Sequence, residues 1–210
     1  MPTSPRKPPL FIVLDGIDGC GKSTQAARLT THLESRGEQP LHLREPGGTA
    51  LGEKLRELLL SRELDLDASV ETLLFCASRA QMLREKVVPA LVGGRTVVCE
   101  RSNASTYAYQ AVAGTLEEGS VFDLLERWAS RPKPDLTLVL DLEPSLAASR
   151  RGPATDRIED KGLEYQARVR SGFLRYSTRV PNVRVVDASG ESDQVWERVL
   201  AEVTSVVDRR

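Results

Sequence analysis

No run of apolar residues in this sequence approaches the roughly 20 that a helix needs to cross a bilayer, so a membrane-spanning helix is excluded. Cysteine is scarce: Cys20, Cys76 and Cys99 stand far apart and carry no metal-ligand spacing. Their odd number, with no apolar signal segment, leads to the expectation of a reducing cytoplasm. Neither sign of charge dominates, since 29 basic residues meet 30 acidic ones for a formal net charge of -1. A global field that would draw the chain to nucleic acid or a membrane surface is therefore missing, and neither partner is expected. Only two histidines occur, His32 and His42, and without partners at a catalytic spacing both are expected to be incidental. Internal repeats and low-complexity linkers are absent too, so the 210 residues read as one domain of about 10–210. Residues 1–9, polar and proline-rich with Arg6 and Lys7, are expected to form a flexible tail.

What is present centres on one stretch. The apolar run Leu10 to Leu14 leads into Asp15-Gly16-Ile17-Asp18-Gly19-Cys20-Gly21-Lys22-Ser23, the complete pattern G-x-x-x-x-G-K-S. A helical period follows at Ala26, Ala27, Leu29, Thr30 and Leu33. Strand before and helix after are the context the motif demands. Its glycines let backbone N–H groups converge on phosphate oxygens, and the helix adds its positive end. Gly16, Ile17, Asp18, Gly19, Cys20, Gly21, Lys22, Ser23 and Thr24 are thus the expected nucleotide-binding loop. Lys22 would reach the outer phosphates and the Ser23 hydroxyl would ligate magnesium. Cys20, among those N–H groups, is expected to have a lowered pKa and to be sensitive to alkylation.

Along the chain, strand alternates with helix. Gly37 reads as a helix C-cap, Pro40 to Arg44 as a second strand, and Arg44-Glu45-Pro46-Gly47-Gly48-Thr49 as a loop serving either as a turn or as a binding edge. A helix over 50–61 would bury Leu51, Leu55, Leu58 and Leu59. A long one over 68–92 would bury Val70, Leu73, Leu74, Ala77, Met82, Val87 and Leu91, with Phe75 and Arg79 on a single face. Thr96 to Cys99 reads as a buried strand ending in Glu100-Arg101, at the sheet edge where open α/β domains bind ligands; a simple ion pair between those two residues fits as well. Helices near Ser105, over 121–129 with Trp128 as core filler, after Pro144 and over 162–179 are interleaved with strands over 136–140 and 183–187, and a last helix passes through Val195, Val199 and Val203. The sum is a three-layer α/β domain with a five-stranded parallel sheet. The segment of about 150–160 mixes three arginines with three acids and reads either as an ion-paired loop or as a lid.

A phosphate-binding loop does not by itself choose among an ATPase, a switch and a kinase. No Asn-Lys-x-Asp segment is present to read guanine. Phe75, Arg79, Arg101, Thr106, Tyr109 and Gln110 instead form a second cluster suited to stack a base, read its edge and hold an acceptor phosphate.

These segments, taken in order, resemble the bacterial thymidylate kinase (dTMP kinase) family. The resemblance rests on Asp15-Gly16-Ile17-Asp18-Gly19, Arg44 to Thr49, Leu74 to Arg79, Arg101 to Gln110, Pro134 to Thr137, Asp156 to Glu159 and Gly162 to Arg170. It implies a P-loop nucleoside monophosphate kinase fold with a lid. The implied reaction moves the γ-phosphoryl group of ATP to dTMP, with magnesium, in a homodimer paired through helices side by side. Phe75 would stack on thymine, Arg79 would bond its edge, and Thr106 and Gln110 would line the base pocket. Tyr109 would lie under the sugar, Arg44 and Arg101 would grip the acceptor phosphate, Asp18 would sit beside the 3'-hydroxyl, and Tyr165 would close over the nucleotide. Glu100, where relatives usually carry Asp, would hold a magnesium-bound water. With Cys20 rather than a basic residue before Gly21, an extra catalytic arginine falls to Arg150, Arg151 or Arg157, of which Arg151 is the first choice. Lys22, Arg101, Asp18 and Arg151 are then the catalytic set. A kinase for another nucleoside monophosphate, or a non-enzymatic nucleotide-dependent switch, remains the alternative.

Overall fold

The computed structural model describes residues 8–151 and 161–208; the expected tail up to Lys7, and residues 152–160 of the expected lid with Arg157, lie outside the described residues. Five strands form one sheet: β1 (Phe11–Asp15), β2 (Leu41–Arg44), β3 (Val97–Glu100), β4 (Leu136–Asp141) and β5 (Val183–Asp187). All neighbours are parallel, in the order β2-β3-β1-β4-β5. The first strand is therefore central, and alternation splits it between two layers. Ile12 and Leu14 join the larger core, and Phe11 and Val13 join a smaller one with Leu43, Met82 and Val97. Because every strand points the same way, the segments that follow β1, β2 and β3 emerge at one edge. That edge carries the phosphate loop, Arg44 and Glu100-Arg101.

The helices are α1 (Lys22–Ser35), α2 (Ala50–Leu60), α3 (Ala68–Met82), α4 (Val88–Val92), α5 (Asn103–Thr106), α6 (Glu118–Trp128), α7 (Pro144–Arg151), α8 (Gly162–Arg179) and α9 (Ser192–Val207). Asp67 and Thr49 cap α3 and α2 through side-chain oxygens, as their residue types favour. The expected single helix over 68–92 contains a wider π turn at Leu83–Val87. Pro89 follows at once and has no N–H to give the preceding turn, so the helix ladder must be interrupted there. A second π turn, Tyr107–Val112, extends α5.

Three burial expectations are corrected. Leu51 and Leu58 of α2 are exposed, leaving Gly52, Leu55 and Leu59 as its inner face. Val70, Leu73 and Ala77 of α3 are exposed too, Leu73 at 54%. Both helices carry apolar residues beyond the stripe they bury against each other, and periodicity does not say which stripe faces inward. Trp128 ends α6 at 72% exposure rather than filling the core. Among the described residues no helix is long and apolar enough to cross a membrane, and the three cysteines are free and buried.

Candidate active site

A cleft of about 690 Å3 opens at the carboxyl edge of the sheet. Its centre is the loop between β1 and α1. Gly19 is held so close to α7 that an added Cβ would lie 2.1 Å from the Ala147 carbonyl oxygen. Gly21, the residue before α1, has open space around it but a φ of 95°, so its requirement is conformational. Lys22 Nζ donates to the carbonyls of Ile17 at 2.8 Å and Gly16 at 3.0 Å, with Asp18 Oδ1 at 3.7 Å. The ammonium thus sits inside the loop, where incoming phosphate oxygens could replace the carbonyls. Gly19 to Thr24 all line the cleft, whereas Ile17 is buried beneath the loop. Cys20 is buried as well, and burial pushes its thiol up against the pull of Lys22 and Arg101. The expected lowered pKa is overturned, because desolvation of a thiolate outweighs the neighbouring cations.

Two carboxylates anchor the end of β1. Asp15, not singled out in the sequence, is fully buried and accepts from the backbone N–H groups of Gly16 and Ser102 at 3.0 Å and of Ser105 at 3.1 Å. It also accepts from Ser105 Oγ at 2.6 Å. It ties the phosphate loop to the segment after β3. Asp18 pairs with Arg101 and accepts from the Tyr109 hydroxyl at 3.1 Å. Burial raises the Asp18 carboxyl, but Arg101, Lys22 and the Tyr109 hydroxyl outweigh it and hold it well below the usual carboxylate range. Arg101 does not pair with Glu100. It adopts φ 68°, in the left-handed region, which swings its guanidinium over the Tyr109 ring at 5.5 Å and onto Ser105 Oγ at 3.1 Å.

Glu100 instead accepts from the Ser23 hydroxyl on one oxygen and contacts His42 Nε2 at 3.0 Å on the other. Burial would raise its carboxyl, yet these two contacts bring it below its ordinary value. His42 is therefore a partner of the site and not incidental. Parallel pairing sets Arg44 beside Glu100, which brings His42 to the same edge. His32 packs edge-on to Trp196 at 5.7 Å.

The second cluster shares the cleft. Arg44, Phe75, Arg79, Thr106, Tyr109 and Gln110 all line it. Arg79 is 1% exposed; its Nε donates to Glu45 at 2.6 Å and its Nη2 to Thr106 Oγ1 at 3.0 Å. Burial pushes the Glu45 carboxyl up against the pull of that guanidinium, and the Glu45 charge in turn keeps Arg79 protonated. The π turn after α5 brings Tyr109 and its neighbour Gln110 to the same cleft while Tyr107 is buried in the core.

Two expectations shift. Tyr165 does not line the cleft: it is buried behind Tyr109, 6.3 Å ring to ring, and donates to the Tyr109 carbonyl at 3.1 Å. Placed on the inner face of α8, its ring faces the core. Arg151 lines a separate cavity of about 160 Å3 with Ile17, Asp18, Ala147 and Gln166. Of the two described candidates it is Arg150 that lines the main cleft, held there by the carbonyls of Ala188 and Gly190, each at 2.8 Å. One helical residue separates the two, and 100° of rotation sends them to different cavities. Glu45, within the loop expected to be a turn or a binding edge, lines the cleft, and sequence reading missed Arg56, Gly190 to Ser192 and Val195, which line it too. The acidic N-cap before α9 was the available signal for Glu191, which forms a capping box with Gln194.

The cleft is thus flanked on the β2–β3 side by the aromatic and arginine cluster and on the β4–β5 side by Arg150 and the start of α9, with the phosphate loop between. Such a site can hold two ligands end to end across one phosphate centre. The chain matches the family described as Thymidylate kinase over residues 14–199. It is 45% identical over 193 residues to the thymidylate kinase of Jannaschia sp. (strain CCS1), covering 90% of this chain and 92% of that protein. It is 39% identical over 204 residues to the thymidylate kinase of Bifidobacterium longum subsp. infantis, covering 94% and 87%. Its fold is similar to the crystal structure of thymidylate kinase from Ehrlichia chaffeensis, with TM-score 0.76 and 28% identity over 93% of this chain and 98% of that one.

Proposed function

The chain belongs to the thymidylate kinase family and phosphorylates dTMP to dTDP, and from that premise we propose which of its residues carry the transfer. Membership implies ATP and magnesium. The residues present fit both groups. The loop holds the Lys22 ammonium on its own carbonyls beside the cleft, ready for phosphate oxygens, and Ser23 and Glu100 offer the oxygen donors that a hard cation prefers. Ser23 and, through water, Glu100 would hold magnesium, which supplies neutralisation of charge on the transferring phosphates.

The acceptor phosphate is already an oxyanion, so little general-base help is needed and the residues act by positioning and charge. Lys22 exchanges its loop carbonyls for donor phosphate oxygens. Arg101 and Arg44 grip the acceptor phosphate, Arg101 being aimed by Asp18, Ser105 and the Tyr109 ring. Phe75 stacks on the base, Arg79, Thr106 and Gln110 read its edge, and Tyr109 lies under the sugar beside Asp18. Arg150, facing the cleft, replaces Arg151 as the described arginine best situated to add charge near the donor. The observation that carries this reading is the single cleft shared by the phosphate loop and the base cluster, with Arg101 between them. Leu51, Leu58, Val70 and Leu73, exposed on the packed pair α2 and α3, support a homodimer formed through these helices.

ADP release from purified protein with Mg-ATP and each nucleoside monophosphate in turn tests the reading. Turnover dependent on dTMP, and its collapse in Arg101→Ala, are expected. Turnover independent of any acceptor would refute the division into two nucleotide sites.

A further inference from the structure

Glu71 does not line the cleft, yet it governs a residue that does. It lies on α3 one turn before Phe75 and two before Arg79, so the three share a helix face. Its side chain is buried, and Oε1 accepts from Gln110 Nε2 at 2.8 Å. The amide of Gln110 thus meets this carboxyl oxygen through its NH2 group, since only that end of an amide donates. The two ends of an amide are otherwise interchangeable in shape; here chemistry selects one. The Gln110 carbonyl oxygen is then the end left for the cleft.

Beside it stands a complementary group. Arg79 has its Nε on Glu45 and its Nη2 on Thr106, while Nη1 is buried with no hydrogen-bond partner. A buried guanidinium N–H without a partner, on a residue that lines the cleft, calls for an acceptor from the ligand. The cleft therefore offers one acceptor, from Gln110, and one donor, from Arg79.

We propose that Glu71 is a positioning residue that sets the polarity of this pair, and so selects a pyrimidine bearing a ring N–H beside a carbonyl against one bearing a bare ring nitrogen beside an amine. Thymine and uracil have the first edge and cytosine the second. If the Gln110 amide turned over, it would present a donor to the ring nitrogen, and cytosine would no longer be refused there. The inference rests on the assignment of this end of the cleft to the acceptor base. A buried acid on the outer helix thereby acts on specificity without touching substrate.

The test is kcat/KM for dTMP, dUMP and dCMP in the unaltered protein, Glu71→Met and Glu71→Gln. Met keeps the length of the side chain and removes both acceptors. The dTMP-to-dCMP ratio is expected to fall by about tenfold, the worth of one well-placed hydrogen bond. The loss for dTMP falls on KM more than on kcat. Glu71→Gln, whose own amide can turn either end to Gln110, moves the ratio the same way by a smaller factor, and decides alone if Glu71→Met does not fold. The dTMP-to-dUMP ratio stays constant, because both bases share the edge in question. Parallel loss for all three acceptors, or an unchanged dTMP-to-dCMP ratio in a folded variant, overturns the proposal. Failure of the unaltered protein to use dTMP would instead overturn the acceptor assignment and the proposal with it.

Discussion

Replacing Arg101 with Ala and, separately, with Gly divides what this residue does for stability from what it does for chemistry. Both changes remove the guanidinium and with it the contacts to Asp18 and Ser105 and the stack over Tyr109. Only Gly also relieves the backbone, which holds φ 68°. A left-handed residue with a Cβ costs about 1–2 kcal/mol. Glycine returns about 0.4–1 kcal/mol of this through the extra freedom of the unfolded chain. Arg101→Gly should therefore be more stable than Arg101→Ala by about 1 kcal/mol, or about 2–4 °C in Tm for a chain of this size. In turnover the two should be equal and low, with kcat down by about 10²–10³-fold, the loss typical of removing one group aimed at developing charge. Thermal unfolding and ADP release on the same preparations supply both numbers. Equal Tm values for the two variants would refute the strained-backbone argument, and near-normal kcat in either would refute the role given to the guanidinium.

Arg79→Met should destabilise the protein by about 3–5 kcal/mol in urea unfolding, because Glu45 is left buried without its cation; a loss below about 1 kcal/mol would mean that Glu45 avoids the cost of an unpaired charge by taking up a proton. Asp18 supplies a pH dependence. Its folded pKa lies below the ordinary carboxylate value, so its stabilising contribution is present above that value and is lost as pH falls through the folded one. The stability gap between the unaltered protein and Asp18→Asn should thus be level at neutral pH and narrow below about pH 4; a gap that widened in acid would reverse the sign. Gly172→Ala tests the approach of α8 to the π turn. Its Cβ would lie 2.7 Å from Ala108 Cα, and overpacking there should lower stability by about 1–3 kcal/mol and raise KM for dTMP by displacing Tyr109 and Gln110. An unchanged Tm and KM would show that α8 shifts freely.

Much of this protein was legible from pattern, because its informative features are local. The glycine spacing of the phosphate loop, the continuous apolar strands and the strand-to-helix alternation each reflect constraints acting within a few residues. They suffice for a five-stranded parallel sheet and for locating the nucleotide loop. Features that depend on which face turns inward were not legible. Leu73 and Trp128 are apolar and helical, yet exposed. Arg150 and Arg151 are neighbours of the same type, and the cavities they enter differ.

The sequence by itself determined the kind of site: a phosphate loop whose conformation only glycine permits, a lysine inside it, and a set of arginines and aromatics suited to a second nucleotide. The tertiary structure alone decided the partners. Asp15 bridging to Ser102 and Ser105, His42 on Glu100, Glu45 on Arg79 and Glu71 on Gln110 join residues 34 to 90 positions apart. No periodicity records such pairs, because each arises only when parallel strands deliver separate loops to one edge of the sheet and burial obliges every charge there to find a counterpart.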